Sequence, residues 1–230
     1  MRTPPNAAIV LAGGRGARMG GRDKPTLEVG GVSMRARVLG AARSALGPEA
    51  PLVLVGADGP DLEPVPGPLA CVREEPPFTG PVAGAERGLR ALELGEDTTV
   101  LLLGGDMPRL RPGVLAMMVG AGPADSVRTL RDASGHLQFL CAAWPAALLR
   151  GSLDQIRHAE TGWESLSLKR LYATLGDRLH VCDAAAAAAD RDQLADVDDP
   201  AELRRVRREF AAPADIPRTP PDPDSPSIPR

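Results

Sequence analysis

Short apolar runs alternate with segments of helical spacing through most of this chain. The runs Ala7–Leu11, Leu52–Val55, Ala70–Arg73 and Val100–Leu103 read as parallel strands buried on both faces. Between them, Ser33–Leu46 carries apolar residues at 34, 38, 39, 42 and 46, a helical spacing with Ser33 as its N-cap. Pro81–Leu94 is a second predicted helix, entered through the turn GPVAG, with Leu89 and Leu92 on its apolar side. Strands alternating with helices in this way predict a doubly wound α/β sheet, mostly parallel, in a single domain.

Beyond Pro112 the pattern is mixed. Val114–Val119, Ala146–Gln155 and Glu164–Leu175 read as helices, and Ser126–Leu130 and Leu137–Ala143 as strands. The alanine run at 184–189 favours helix by propensity. A last helix starts near Pro200 and runs through Leu203 and Val206. After Phe210 the composition changes abruptly: Pro213–Arg230 is dense in proline with almost no large apolar residue. The chain therefore divides into a folded domain over 1–211 and a disordered proline-rich tail over 212–230.

Charge and cysteine usage narrow the function classes. The formal net charge of −3 over 230 residues excludes a broad nucleic-acid footprint, which needs a basic face to displace counterions. Few aromatic residues also argue against stacking platforms for single strands. Cys71, Cys141 and Cys182 are far apart, with no paired or metal-ligand spacing, and Cys71 and Cys141 sit in apolar runs as small core residues. His136, His158 and His180 are dispersed surface or strand-end residues. The sequence has no signal-peptide pattern and no apolar run of membrane-spanning length, so the expected compartment is the cytoplasm.

Candidate chemistry concentrates in LAGGRGARMGGRDKPTLEVGG, Leu11 to Gly31, immediately after the first strand. Its glycines let backbone N–H groups approach an anion closely. Arg18 offers a planar fork for phosphate oxygens and Lys24 a point charge for a second phosphate. Neither a Walker A loop nor the dinucleotide fingerprint fits: Lys24 precedes Pro25, and Met19 stands where a third glycine is required. Downstream, VLLLGGDMP (100–108) is a buried strand ending in Asp106. Ligand groups gather beyond the carboxyl ends of such strands, so Asp106 is placed to hold Mg²⁺ against phosphate oxygens. REEPPFTGPVAG (73–84) supplies Gly80 and Gly84, and ADVDDPAEL (195–203) supplies Asp198 and a good helix start.

The pattern L-A-G-G-x-x-x-R-M-G-x-x-D-K resembles the signature of nucleotidyltransferases that attach a nucleoside monophosphate to molybdopterin, above all the molybdenum cofactor guanylyltransferases. The resemblance runs collinearly from about Ala7 to Val206. The Asp-Met-Pro, G-P-[LV]-A-G and D-V-D blocks extend it, with Gly105 in place of a common Cys, Glu75 in place of a common Asp and Asp199 in place of a common Thr. The weaker block at 132–143 suggests Gln138 as a contact to the pterin.

What the resemblance implies is a Rossmann-like nucleotidyltransferase fold and transfer of GMP from GTP to the phosphate of molybdopterin, releasing pyrophosphate. Leu11, Ala12, Gly13, Gly14, Arg18, Lys24, Gly80, Gly84 and Asp106 would bind the nucleotide. Arg18, Lys24 and Asp106 would act in catalysis, and Asp106 with Asp198 would hold Mg²⁺. Expected partners are GTP, molybdopterin or the molybdenum cofactor, and molybdenum insertion proteins or apo-molybdoenzymes; nucleic acid and membrane are not expected. The alternatives are a cytidylyltransferase on the same acceptor, a transferase acting on another phosphorylated acceptor, and a non-catalytic nucleotide-binding or docking protein of molybdoenzyme assembly.

Overall fold

The structure, a computed structural model, describes residues 6–13, 24–56, 63–132, 134–159, 162–163, 166–182 and 191–211. The strands are β1 (Asn6–Leu11), β2 (Glu28–Val29), β3 (Val32–Ser33), β4 (Leu52–Val55), β5 (Leu69–Val72), β6 (Thr99–Gly104), β7 (Val127–Arg131), β8 (Leu137–Pro145) and β9 (Leu179–Val181). The helices are α1 (Met34–Leu46), α2 (Pro81–Arg90), α3 (Pro112–Gly120), α4 (Ala146–Ala159), α5 (Leu168–Tyr172) and α6 (Pro200–Ala211).

Seven strands form one sheet in the order β5-β4-β1-β6-β8-β7-β9, and β2 and β3 form a separate hairpin. The first four are mutually parallel, with Leu11 opposite Val55 on one side and Gly104 on the other. β8 runs antiparallel to both β6 and β7, and β9 returns parallel to β7. This is the doubly wound, mostly parallel architecture that the alternation predicts, with its carboxyl strand ends gathered at one edge.

Strand periodicity of two explains why the runs are apolar without interruption. Ala8 and Val10 of β1 face a core shared with Val38 and Leu39 of α1 and Leu115 and Met118 of α3. Ala7 and Ile9 face the other side, with Val82 and Leu89 of α2 and Leu149 and Leu153 of α4. Both faces are covered, so neither can be polar. A third, small core joins Val29 and Met34 to Val197, Leu203 and Val206. It holds α6 and the segment before it against the hairpin.

Helix α1 starts where its cap predicts: the Ser33 hydroxyl accepts from the Ala36 N–H at 3.2 Å and donates to Glu63 at 2.8 Å. Several expectations need correction. The strand near Ala70–Arg73 is parallel but not buried: β5 ends the sheet, and Ala70 and Cys71 are exposed. Cys71 is therefore no core residue, whereas Cys141 and Cys182 are buried. The helix from Pro81 stops at Arg90, because the Ala91 N–H turns to the carbonyls of Gly88 and Leu89 and Leu92 folds inward. Among the described residues of the predicted helix 164–175, only Leu168–Tyr172 is helical. Strands β2, β3 and β9 are too short for any pattern to announce. The alanine run at 184–189 and the tail 212–230 lie outside the described residues.

Candidate functional site

The end of β1 is clamped between its two parallel neighbours. The Ala12 N–H donates to Val55 at 2.8 Å, and the Gly105 N–H donates to Leu11 at 2.8 Å. Glycine is required where these loops cross. A Cβ on Gly56, whose φ is +91°, would stand 2.5 Å from the Cα of Gly13. Gly105 is tight but less confined, with Leu11 O 3.1 Å from where its Cβ would be. Glycine instead of cysteine there lets β6 end directly against β1.

A 3-10 turn over Lys24–Thr26 delivers Lys24 to the same edge. Its ammonium donates to Asp106 Oδ2 and to Asp198 Oδ1, each at 2.7 Å. Asp106 follows β6 and Asp198 precedes α6, and the Val197 N–H donates to the Asp106 carbonyl at 3.1 Å, tying the two segments together. Neither carboxylate caps a helix. Asp199 does that work, accepting from the N–H groups of Ala201 at 2.7 Å and Glu202 at 2.9 Å.

Asp196 completes the group. Asp106, Asp196 and Asp198 each offer a carboxylate oxygen, and these lie within 4.8 Å of one another. Lost hydration, then the charges of Asp198 and Asp106, push the Asp196 carboxyl above its ordinary pKa against the opposing pull of Lys24. Lost hydration lowers Lys24, but the ion pairs with Asp106 and Asp198 outweigh it, and its pKa is raised. Among the described residues, three carboxylates gather around one ammonium here. Hard oxygen donors so gathered suit a divalent cation such as Mg²⁺.

Next to this cluster lies a cavity of about 330 Å³, within the range of small-molecule sites. Leu11, Gly13, Lys24, Gly80 and Asp106 all line it, as do Glu74, Phe78 and Leu140. Gly80, with φ of +117°, is the residue before Pro81 at the start of α2; an L side chain would be strained there. A larger cavity of about 550 Å³, lined by Arg37, Arg109, Arg111 and Phe210 among others, contains none of the expected residues. Size alone does not mark the site.

The structure thus brings Leu11, Ala12, Gly13, Lys24, Gly80, Asp106 and Asp198 to one edge of the sheet. Gly84 is nearby but faces inward: a Cβ there would meet Leu11 and Glu74 at 3.2 Å and Val55 at 3.7 Å. Its smallness lets α2 lie close to the sheet. Gly14 and Arg18 lie outside the described residues. Gln138 spends its amide on Asp132 at 3.0 Å, within the β7–β8 turn. Glu74 lines this cavity and also a neighbouring one with Arg87, Arg90 and Trp163, whereas Glu75 lines only the neighbouring one. Glu74, Asp196 and Phe78 escaped the sequence reading. The D-V-D alternation flanking Val197 was the available signal for Asp196.

A MobA-like NTP transferase domain model matches residues 8–179. The chain belongs to the MobA-like NTP transferase family. Its domain is that of a nucleotidyltransferase. It is 35% identical over 144 residues to a molybdenum cofactor guanylyltransferase from Cereibacter sphaeroides, covering 61% of this chain and 69% of that protein. It is 38% identical over 152 residues to the bifunctional protein GlmU from Corynebacterium aurimucosum, covering 59% of this chain but only 30% of the larger relative. Among solved structures, a nucleotidyl transferase from Methanothermobacter shares the fold at a TM-score of 0.66 and 24% identity, over 90% of this chain and 98% of that one. Among the described residues no helix is long and apolar enough to cross a membrane.

Proposed function

We propose that this protein transfers GMP from GTP to the phosphate of a molybdopterin-type acceptor with Mg²⁺, releasing pyrophosphate, within a domain spanning 1–211 and in the cytoplasm. The observation that carries the reading is Lys24 joined to Asp106 and Asp198 beside a cavity walled by Leu11 and Gly13. The guanylyltransferase relative supports the choice of nucleotide and acceptor.

Chemically, an oxygen of the acceptor phosphate bonds to the α-phosphorus of GTP. The bond from that phosphorus to the bridging oxygen breaks, and its electron pair leaves with pyrophosphate. The acceptor is already anionic at neutral pH, so no general base is needed; alignment and charge neutralisation dominate. Mg²⁺ held by Asp106, Asp198 and Asp196 would supply neutralisation of the triphosphate oxygens. The backbone around Leu11–Gly13 would seat the phosphates, and Arg18 would grip the leaving pyrophosphate. Lys24 holds Asp106 and Asp198 together and presents its positive charge to the cavity.

A pyrophosphate-release assay with each of the four nucleoside triphosphates, Mg²⁺ and molybdopterin tests the reading. Release with GTP is expected. Preference for CTP would make the protein a cytidylyltransferase. Release only with a different phosphorylated acceptor would make it a transferase acting on another acceptor.

A further inference from the structure

Phe78 stands apart from every other aromatic residue of the chain. There are six: three Phe, two Trp and one Tyr. Phe139 and Trp144 meet Tyr172 edge-on at 4.6 and 5.2 Å between centroids. Arg157 lies over Trp163 and Arg37 over Phe210. Among the described residues, Phe78 alone has neither a ring nor a cation against it, and it is the only exposed aromatic, at 55%. Its ring lines the cavity beside Lys24 and Asp106.

Its backbone is unusual as well. Phe78 has φ of +61°, the only positive φ of a non-glycine residue among the described residues. A bulky side chain in the left-handed region is strained, and such strain collects at ligand clamps. The turn is held closed by the Thr79 hydroxyl, which donates to the Pro76 carbonyl. The ring is thereby presented to the cavity that also holds Glu74, Gly80 and Lys24.

We infer that Phe78 is the stacking platform for the nucleobase of the nucleoside triphosphate, a role that rests on the proposed nucleotidyl transfer. Lys24 and the carboxylates beyond β6 suit phosphates and a cation, and Phe78, just before the start of α2, lines the same cavity. A flat heterocycle placed there finds the phenyl face and the Glu74 carboxylate, which can accept from N–H groups on a base edge. Stacking tolerates every base but favours the larger purine surface.

Calorimetric titration of the four nucleoside triphosphates and of inorganic tripolyphosphate, all with Mg²⁺, tests this on the parent, Phe78→Ala, Phe78→Trp and Phe78→Gly. Phe78→Ala should weaken whichever nucleotide the parent prefers by about tenfold or more, with tripolyphosphate unchanged within about twofold. Phe78→Trp should retain affinity, and its indole fluorescence should be quenched by the nucleotide. Phe78→Gly relieves the backbone strain, so it should melt no lower than Phe78→Ala yet bind as poorly. Unchanged nucleotide affinity in Phe78→Ala overturns the inference. So does equal loss for tripolyphosphate, or an effect confined to the Michaelis constant of the acceptor. A parent preferring CTP with the same Phe78→Ala loss would defeat the guanylyl reading and leave the stacking role standing. A parent binding none of the four would overturn both.

Discussion

Two charge clusters fasten the C-terminal segment to the sheet, one on each side of the stretch that follows β6. In the first, Lys24 holds Asp106 and Asp198 with Asp196 beside them. In the second, Arg109 donates through Nε and Nη2 to both oxygens of Glu209 and through Nη1 to Glu202 at 2.7 Å, with Arg205 closing the charge balance. The Arg109 group is neutral overall, with a bidentate fork on Glu209. The Lys24 group gathers three carboxylates of the described residues around one ammonium. Saturated networks specify structure, while carboxylate oxygens gathered this closely suit a cation. Both clusters are ion pairs across the same fold, and the gathering of three carboxylates sets the first apart.

The sharpest way to break this contrast is Asp106→Asn. The fold should survive, because the side chain keeps its size, and metal-dependent turnover should fall on the order of 10²–10³-fold, as when a preorganised electrostatic group is removed. Steady-state pyrophosphate release together with a thermal melt decides it. Unfolding with normal activity per folded molecule would make Asp106 structural and erase the contrast.

Arg109→Met should do the opposite. It strands two glutamates, and breaking a buried pair costs about 3–5 kcal/mol. Glu202 and Glu209 are 22% and 41% exposed, so solvent screening reduces the expected loss to roughly 1–3 kcal/mol. Chemical denaturation should register that loss while turnover per folded molecule stays within about twofold. A selective fall in turnover would mean that the clamp belongs to the site.

Asp196→Asn probes the carboxylate cluster more gently. Mg²⁺ affinity should weaken by about tenfold, since ligand charge count tunes such sites, and the Mg²⁺-dependent rise in melting temperature should shrink accordingly. Without Mg²⁺ the variant should melt no lower than the parent, because one of three mutually repelling carboxylates has gone. A drop in melting temperature without Mg²⁺ would show that Asp196 is a stabilising partner instead.

The smallest effect concerns acid stability. Hydrogen bonding from Arg109 holds the Glu209 carboxyl below its ordinary value of 4.5, with the charges of Arg109 and Arg205 adding to it. A depressed folded pKa contributes stability that is complete above the unfolded value and is lost as pH falls through the folded one. Glu209→Gln should therefore melt slightly below the parent at pH 7, and the two curves should converge as pH drops through the acid range. Melting curves taken at intervals below pH 7 measure this. A gap that persists into strong acid would place the effect in packing.

Much of this protein was determined by its sequence alone. Strands β1, β4 and β6 are legible because both faces of a covered parallel sheet are apolar, and α1 because Ser33 caps it locally. The glycine-rich segment from Leu11 reads as a candidate phosphate site, since close backbone approach is a local property of its residues. What only the tertiary structure decided involves residues distant in the chain or signals too short to read. Lys24 and Asp198 are 174 positions apart and meet because the small core of Val29, Met34 and Val206 folds α6 back onto the hairpin. Glu74 lines the cavity beside Lys24 and Glu75 does not, which no local pattern announces. Gly84 meets Leu11 and Val55 across the helix–sheet interface, and the fold brings Phe78 to the same cavity as Asp106. Burial and capping act over a few residues and can be read locally. A constellation assembled from four segments depends on how strands are ordered and how helices return across them.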